Sequence, residues 1–171
     1  KFYDYLEDFG FLEKTGIDML GEQDYSSLIW PRDKFTGVDL AVASFGQRFE
    51  VTPLQMITAF AATINGGDLV KPYVVQSIST KDGTVVQNTE TEVVRQVVSQ
   101  ETSQRATDIL EQVVSKGTGR NAYVAGYRIG GKTGSSETGE TGRTIVSFMG
   151  FAPADDPQVI VLLAYDKPQE S

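Results

Sequence analysis

The C-terminal third of the chain contains the sequence Gly130-Gly131-Lys132-Thr133-Gly134-Ser135, from which both fold and function are inferred. It combines one cation, two hydroxyl groups and three glycines within six residues. Because glycine has no Cβ, the backbone of such a stretch can approach a ligand closely. The residue types predict a site for an anion or a carbonyl oxygen, and we expect the loop Gly117-Thr118-Gly119-Arg120 to approach it.

The composition is that of one globular domain. The chain has 171 residues, of which 40% are hydrophobic and 22% are charged, enough for a single domain with a hydrophobic core. The formal net charge is -8, and the 15 lysines and arginines form no basic cluster. Because nucleic-acid-binding surfaces need clustered basic side chains, we expect no nucleic-acid partner.

The chain contains no cysteine and no histidine. This excludes thiolate catalysis, disulfides, the usual zinc sites and a Ser-His-Asp triad. Any proton transfer by this chain must therefore use Lys, Tyr, Asp or Glu side chains. No apolar run approaches the roughly 20 residues that a membrane-spanning helix needs. Any membrane anchor of the parent protein is therefore expected elsewhere.

Capping signals define the two main helices. Thr52-Pro53-Leu54-Gln55 offers an N-cap, a proline at the first helical position and a capping-box glutamine, and Gly66-Gly67 ends this helix after Asn65. A second helix is predicted from Ser99 to a stop at Gly117. The predicted apolar faces contain Leu54, Ile57, Phe60, Ala61 and Ile64 in the first helix, and Ala106, Ile109, Leu110, Val113 and Val114 in the second.

Runs of β-branched and aromatic residues predict an antiparallel sheet. Three consecutive strands are expected at residues 128–134, 144–152 and 159–165, the last apolar on both faces like a strand inside a sheet. The fold class is therefore α+β, an antiparallel sheet flanked by helices. The other predicted elements are a helix over residues 1–13, a surface loop over 15–36, a short helix at 38–45, and a peripheral hairpin with strands at 70–79 and 85–86.

Lys132 has two interpretations at this point. The run from Gly126 to Thr133 fits the nucleotide-binding pattern G-x-x-x-x-G-K-[ST], and the apolar run 160–165 before Asp166 imitates a strand that ends in a magnesium-binding acid. A phosphate-binding loop needs a helix that begins at the lysine. Glycines at positions 134, 139 and 142 disfavour that helix. P-loop nucleotide binding is therefore the remote alternative.

The second interpretation places Lys132 on a strand that lines a cleft, as in the Lys-Thr-Gly element of penicillin-binding proteins and β-lactamases. Several motifs support it, in this order along the chain: Glu50-Val51-Thr52-Pro53-Leu54-Gln55-Met56, Ala62-Thr63-Ile64-Asn65-Gly66-Gly67, Lys71-Pro72, Gly117-Thr118-Gly119 and Gly130-Gly131-Lys132-Thr133-Gly134-Ser135. Together they resemble the transpeptidase domain of class B penicillin-binding proteins, especially the division and sporulation enzymes of Gram-positive bacteria. The resemblance covers essentially the whole chain.

The resemblance implies roles for the residues of this strand. Lys132 would hold positive potential in the cleft and join the proton network, while the Thr133 and Ser135 hydroxyls would bind the substrate carboxylate. The Ser135 amide would donate to the oxyanion, and Gly134 would let the acyl-enzyme lie against the strand. Ser136 would complete the substrate-binding set. Donors fixed on a rigid strand stabilise charge as it develops on a carbonyl oxygen. Neither a metal nor a cofactor is implied.

Two motifs of the family are absent. The family acylates the serine of Ser-x-x-Lys, and no lysine of this chain has a serine three residues before it; Ser-x-Asn is absent too. In family order both motifs precede residue 1, and a closing helix follows the last strand. We therefore interpret residues 1–171 as the C-terminal portion of a single domain with the penicillin-binding transpeptidase, or serine β-lactamase-like, fold, incomplete at both ends.

The implied parent protein is a serine-type D-Ala-D-Ala transpeptidase that cross-links peptidoglycan through a serine acyl-enzyme. This chain would supply the Lys-Thr-Gly strand but not the nucleophile, so alone we expect it to be inactive. A non-catalytic binding or structural module of the same fold is the main alternative. The expected location is the extracytoplasmic face of the bacterial membrane, with an N-terminal anchor outside this chain. Expected partners are the stem peptide, β-lactams, the N-terminal half of the domain, and a second copy bound through the exposed edge of residues 159–163.

Overall fold

The computed structural model of the protein describes residues 1–24, 28–47, 49–137 and 144–168. None of the helices in these ranges is long and apolar enough to span a bilayer. The helices are α1 (Phe2–Asp8), α2 (Gly37–Ala43), α3 (Pro53–Ile64) and α4 (Gln100–Lys116), with 3₁₀ turns at Arg32–Lys34 and Arg120–Ala122. The strands are β1 (Asp68–Val70), β2 (Ser77–Ser79), β3 (Val85–Asn88), β4 (Val93–Gln96), β5 (Gly130–Glu137), β6 (Thr144–Ala152) and β7 (Val159–Asp166).

The main sheet consists of β5, β6 and β7 in that order, and both pairs are antiparallel. Gly134 lies opposite Ser147, and Phe148 lies opposite Leu163. The prediction of three consecutive antiparallel strands is confirmed, although the first begins at Gly130 and extends to Glu137. Two smaller antiparallel sheets pair β1 with β4 and β2 with β3. The fold class is therefore α+β with antiparallel sheets, as expected.

The capping signals place α3 where the sequence predicts it. Thr52 Oγ1 accepts from the Gln55 amide at 3.1 Å, and Gln55 Oε1 accepts from the Thr52 amide at 3.0 Å. The helix ends at Ile64, with Asn65 as its C-cap. Gly67 follows with φ of +102°, and an added Cβ there would lie 2.0 Å from the Val98 carbonyl oxygen. Position 67 therefore requires glycine for both its backbone angle and its space.

The buried faces of α3 and α4 are more polar than predicted. Of the predicted apolar residues, only Ile64 and Val114 are fully buried, and Ile109 is 62% exposed. Four polar side chains are also buried on these helices: Gln55, Thr58, Ser103 and Thr107. The prediction does not include these polar residues, because hydrophobic periodicity detects apolar contacts and misses hydrogen-bonded ones.

Hydrogen bonds explain this polar burial. The Ser103 hydroxyl donates to the Thr63 carbonyl at 2.8 Å and accepts from the Gly66 amide at 3.0 Å, which joins α4 to the end of α3. The Gln55 side-chain amide donates to the carbonyls of Phe11 and Glu13 at 3.2 and 2.9 Å. Buried polar groups of this kind are costly only when they lack partners.

Two predicted boundaries are wrong, and one strand is missing from the prediction. Helix α1 ends at Asp8 instead of continuing to residue 13, and Gly10 follows it with φ of +78°. The strand predicted at 70–79 is interrupted between β1 and β2, where the Asp18 carboxylate accepts from the amides of Val74 and Val75. Strand β4, which pairs with β1, is not predicted at all.

The core beneath the main sheet is formed by Ile64, Phe151 and Ala154, against which Phe60, Leu110 and Ile160 pack. The rings of Phe60 and Phe151 have their centroids 6.0 Å apart. The opposite face of β7 is exposed by roughly half or more at Val159, Val161, Leu163 and Tyr165. In the described part of the chain β7 is also an edge strand. Both its outer edge and this apolar face are therefore uncovered there.

Candidate active site

Strand β5 carries the Lys-Thr-Gly motif at the edge of the main sheet. Because side chains alternate along a strand, Lys132, Gly134 and Ser136 lie on one face, and Thr133 and Ser135 lie on the other. Thr133 and Ser136 are half-buried, whereas the other three residues are exposed. The predicted site residues thus come together on one strand, with the two carboxylate-binding candidates on a common face.

The outer edge of β5, which faces away from β6, carries the backbone groups of Thr133 and Ser135. Lys132 Nζ donates to the Thr133 carbonyl at 2.6 Å, and Gln47 Nε2 donates to the Ser135 carbonyl at 3.4 Å. In an antiparallel pair the N–H and C=O of one residue point to the same side of the strand. The Ser135 amide therefore points to the outer edge, where it can donate to an oxyanion.

The loop that follows α4 reaches the same strand. Thr118 Oγ1 lies 3.1 Å from Thr133 Oγ1, so the two hydroxyls are hydrogen-bonded. Gly117 and Gly119 let this loop lie against α4, since an added Cβ on Gly117 would lie 2.9 Å from the Val113 carbonyl oxygen. The predicted approach of this loop to the motif is confirmed, and it orients one of the proposed carboxylate donors.

The glycines of the motif serve two purposes. An alanine Cβ at position 130 would lie 2.2 Å from Cζ of Phe151, and one at position 131 would lie 2.5 Å from Cζ of Phe148. Both glycines are buried, so they serve aromatic packing and not the ligand. Gly134 alone of the three is exposed, and its Cβ would meet only Ser147 Oγ, at 2.7 Å. The expectation of ligand approach therefore applies to Gly134 only.

An ion-pair cluster holds the start of β5. Arg128 donates to both carboxylate oxygens of Glu111 on α4, at 2.8 and 2.7 Å, and its third nitrogen lies 2.9 Å from the carboxylate of Asp155. The hydrogen bonds from Arg128 hold the pKa of Glu111 below its ordinary value. Glu111 raises the pKa of Arg128 in turn. The cluster ties α4 and the β6–β7 turn to the strand that carries the motif.

Gln47 is the site residue that the sequence does not predict. Its side chain also binds the neighbouring residue, because Ser136 Oγ donates to Gln47 Oε1 at 3.4 Å. The Ser136 hydroxyl, predicted to bind substrate, is thus engaged by Gln47 on the face opposite Thr133 and Ser135. Gln47 and Ser135 are 88 residues apart in sequence. No local pattern in the sequence indicates this contact.

The nucleotide-binding alternative lacks its structural basis. A phosphate-binding loop requires a helix N-terminus at Lys132, and β5 continues through that residue to Glu137. Within the described ranges, no group of three or more acidic side chains is arranged to bind a metal ion. A cavity of about 180 Å³ lies away from β5, and the residues that line it include Phe9, Gln55 and Leu69. No residue of β5 lines it.

The exposed edge strand β5 thus presents a lysine, two hydroxyls and an outward-facing amide, as the Lys-Thr-Gly element is expected to do. The whole chain, residues 1–171, matches the penicillin binding protein transpeptidase domain family. The chain belongs to this family.

Two curated relatives extend this result. The chain is 43% identical to stage V sporulation protein D of Bacillus subtilis, over 99% of this chain and 27% of that protein. It is 32% identical to penicillin-binding protein PbpB of Mycolicibacterium smegmatis, over 100% of this chain and 28% of that protein. The chain thus spans about a quarter of the length of these relatives.

Solved structures share the fold. Penicillin binding protein 3 of Mycobacterium tuberculosis superposes with a TM-score of 0.88 at 30% identity, over 98% of this chain and 40% of that one. The same protein has been crystallised with aztreonam and with ampicillin. The penicillin-binding transpeptidase fold predicted from the motifs is therefore confirmed.

Proposed function

We propose that the protein carrying this chain is a serine D,D-transpeptidase that cross-links peptidoglycan, and that this chain supplies its oxyanion and carboxylate-binding strand. The observation that carries the proposal is the outer edge of β5. There the Ser135 amide points away from the sheet beside the hydroxyls of Thr133 and Ser135 and the ammonium group of Lys132. Relatives named peptidoglycan D,D-transpeptidases support the same activity.

The proposed reaction begins with a serine outside residues 1–171, in a Ser-x-x-Lys motif upstream. Its hydroxyl oxygen attacks the carbonyl carbon of the penultimate D-alanine of a stem peptide. Negative charge then develops on the carbonyl oxygen, and the Ser135 amide donates to it. When the C–N bond breaks, the terminal D-alanine leaves with a proton on its nitrogen. This proton comes from the serine hydroxyl. The amine of a second stem peptide then attacks the ester carbonyl and takes the acyl group, and the proton that this amine loses returns to the serine oxygen.

The remaining residues of β5 orient the substrate. The Thr133 and Ser135 hydroxyls bind the terminal carboxylate, and the charge of Lys132 favours both the carboxylate and proton transfer along the cleft. Exposed Gly134 leaves room for the acyl group along the strand. A penicillin presents its carboxylate and the reactive carbonyl of its β-lactam ring in a comparable arrangement. The aztreonam and ampicillin complexes of the mycobacterial relative support β-lactam binding here.

Two further proposals concern the surroundings of the chain. The exposed apolar face and edge of β7 fit the N-terminal half of the domain, and the isolated chain is expected to self-associate through this edge instead. A monomer at high concentration in analytical ultracentrifugation would contradict this. Because peptidoglycan lies outside the membrane, the proposed location is the extracytoplasmic face, with an N-terminal anchor elsewhere in the protein.

The proposed function is tested with a fluorescent penicillin on the complete protein. The unmodified protein should form a stable covalent adduct, and Lys132→Met should form it about 100-fold more slowly or worse, as expected for loss of a proton-transfer partner. Lys116→Met, which removes an exposed lysine at the end of α4, is the matched control and should react normally. Absence of an adduct with the unmodified protein would favour a non-catalytic binding module.

A further inference from the structure

Gln47 is held in a fixed position beside the motif strand. It follows α2, and its backbone amide donates to the Val42 carbonyl at 3.3 Å, which anchors it to the last turn of that helix. Gly46, directly before it, has φ of +85° and turns the chain towards β5. The Gln47 side chain is half-buried and starts from an anchored backbone.

Both ends of the Gln47 carboxamide bind neighbouring residues of β5. Nε2 donates to the Ser135 carbonyl, and Oε1 accepts from the Ser136 hydroxyl, each at 3.4 Å. The opposite orientation would place Oε1 against the Ser135 carbonyl oxygen, where two acceptors would repel each other. The two contacts therefore determine the orientation of the Gln47 carboxamide, and this side chain holds both Ser135 and Ser136.

These contacts lie on either side of the proposed oxyanion donor. Along the outer edge of β5 the order of backbone groups is the Thr133 carbonyl, the Ser135 amide and the Ser135 carbonyl. Lys132 Nζ holds the first carbonyl, and Gln47 Nε2 holds the second. The direction of the Ser135 N–H is thus fixed by hydrogen bonds to the groups before and after it. An oxyanion donor needs such fixation, because it must lie within about 3.1 Å of the developing charge.

We propose that Gln47 is a positioning residue for acylation: it holds the Ser135 carbonyl, in the peptide unit that directly follows the donor, and so keeps the Ser135 amide facing the oxyanion. The inference rests on the proposed function and adds to it a residue from outside the motif strand. Both contacts are longer than the usual range for such hydrogen bonds. Hydrogen bonds of an active site often shorten when the reacting group binds. The effect of Gln47 should therefore appear in the rate of acylation more than in stability.

The experiment uses the complete protein and a chromogenic penicillin whose binding and acylation steps are separated by stopped-flow kinetics. Gln47→Ala should lower the acylation rate constant about tenfold, the order expected for one hydrogen bond that acts in the transition state. The dissociation constant of the initial complex and the melting temperature should stay close to those of the unmodified protein. Gln47→Glu retains the acceptor for Ser136 but places a carboxylate against the Ser135 carbonyl, so it should be at least as slow.

A spectroscopic measurement reports the oxyanion donor directly. The infrared band of the acyl-enzyme carbonyl lies at lower frequency when the amide donates to it, so it should move to higher frequency in Gln47→Ala. The matched control is Gln104→Ala, which removes an exposed side-chain amide of α4 that donates to Asp108. This control should change neither the rate constant nor the infrared band.

The outcomes separate the two proposals. If the unmodified protein is acylated and Gln47→Ala reacts at the same rate, the role of Gln47 is refuted and the proposed function stands. The same conclusion follows if Gln47→Ala loses activity only together with its melting temperature and the carbonyl band does not move. If the unmodified protein is not acylated, the proposed function fails and the role of Gln47 fails with it.

Discussion

Replacing Gly130 with alanine tests whether the glycines of the motif serve packing or ligand binding. The added Cβ would lie 2.2 Å from Cζ of Phe151 and 2.5 Å from its Cε1, whereas ordinary contacts begin at 3.4 Å. Neither partner can move easily, because Phe151 is 2% exposed and packs against Phe60, and position 130 is paired to β6. We expect a loss of about 3 kcal/mol in the free energy of unfolding, at the upper end for overpacking.

The assay is urea unfolding of the unmodified protein and its variants at one temperature and pH. Gly134→Ala is the matched control, because its Cβ would meet only Ser147 Oγ, a hydroxyl that can rotate away. It should cost less than about 1 kcal/mol in stability. The combination Gly130→Ala with Phe151→Leu should be less destabilised than the sum of its parts, since the smaller side chain relieves the overlap. If Gly130→Ala cost as little as Gly134→Ala, the packing role would be refuted.

Three further predictions concern side-chain hydrogen bonds and an ion pair of the fold. Thr118→Val, which removes the hydroxyl bound to Thr133, should slow penicillin acylation about threefold to tenfold without changing the melting temperature, and Thr118→Ser should restore the rate. Gln55→Ala should lower the free energy of unfolding by about 2 to 3 kcal/mol in urea titrations, because it removes a buried side chain that forms hydrogen bonds to the Phe11 and Glu13 carbonyls and to the Thr52 amide. Arg128→Met should destabilise the protein at neutral pH, and this difference should shrink as the pH falls below 4.5, the ordinary pKa of Glu111. The stability difference shrinks at low pH because the lowered pKa of Glu111 contributes stability only while that carboxylate is ionised. The side chain of Arg128 is 52% exposed, so the stability difference should be modest and salt-dependent.

Elements with local signals could be predicted from the sequence. The boundaries of α3 follow from Thr52, Pro53 and Gly66, because a cap and a stop act within one turn of the helix. Strands β6 and β7, rich in β-branched and aromatic residues, form the expected antiparallel sheet with β5. The sequence also singles out the stretch Gly130 to Ser135 as a candidate site, since it combines a lysine and two hydroxyls with glycines.

Features that depend on contacts between distant segments could not be predicted. The requirement for Gly130 comes from the register of β6, which places Phe151 opposite it. The polar interface between α3 and α4 depends on the Ser103 hydroxyl, which has no signature in hydrophobic periodicity. Gln47 reaches the motif only because α2 ends beside β5. In each case the determining partner lies far along the chain and acts through geometry that the tertiary fold creates.

In the function proposed above, this chain is the oxyanion and carboxylate-binding portion of a serine transpeptidase whose nucleophile lies outside it. The most direct test is peptide mapping by mass spectrometry of the complete protein after reaction with a penicillin. We expect one acylated serine, in a peptide outside residues 1–171, and no adduct on Ser135 or Ser136. An adduct on any serine within residues 1–171, or none at all, would contradict it.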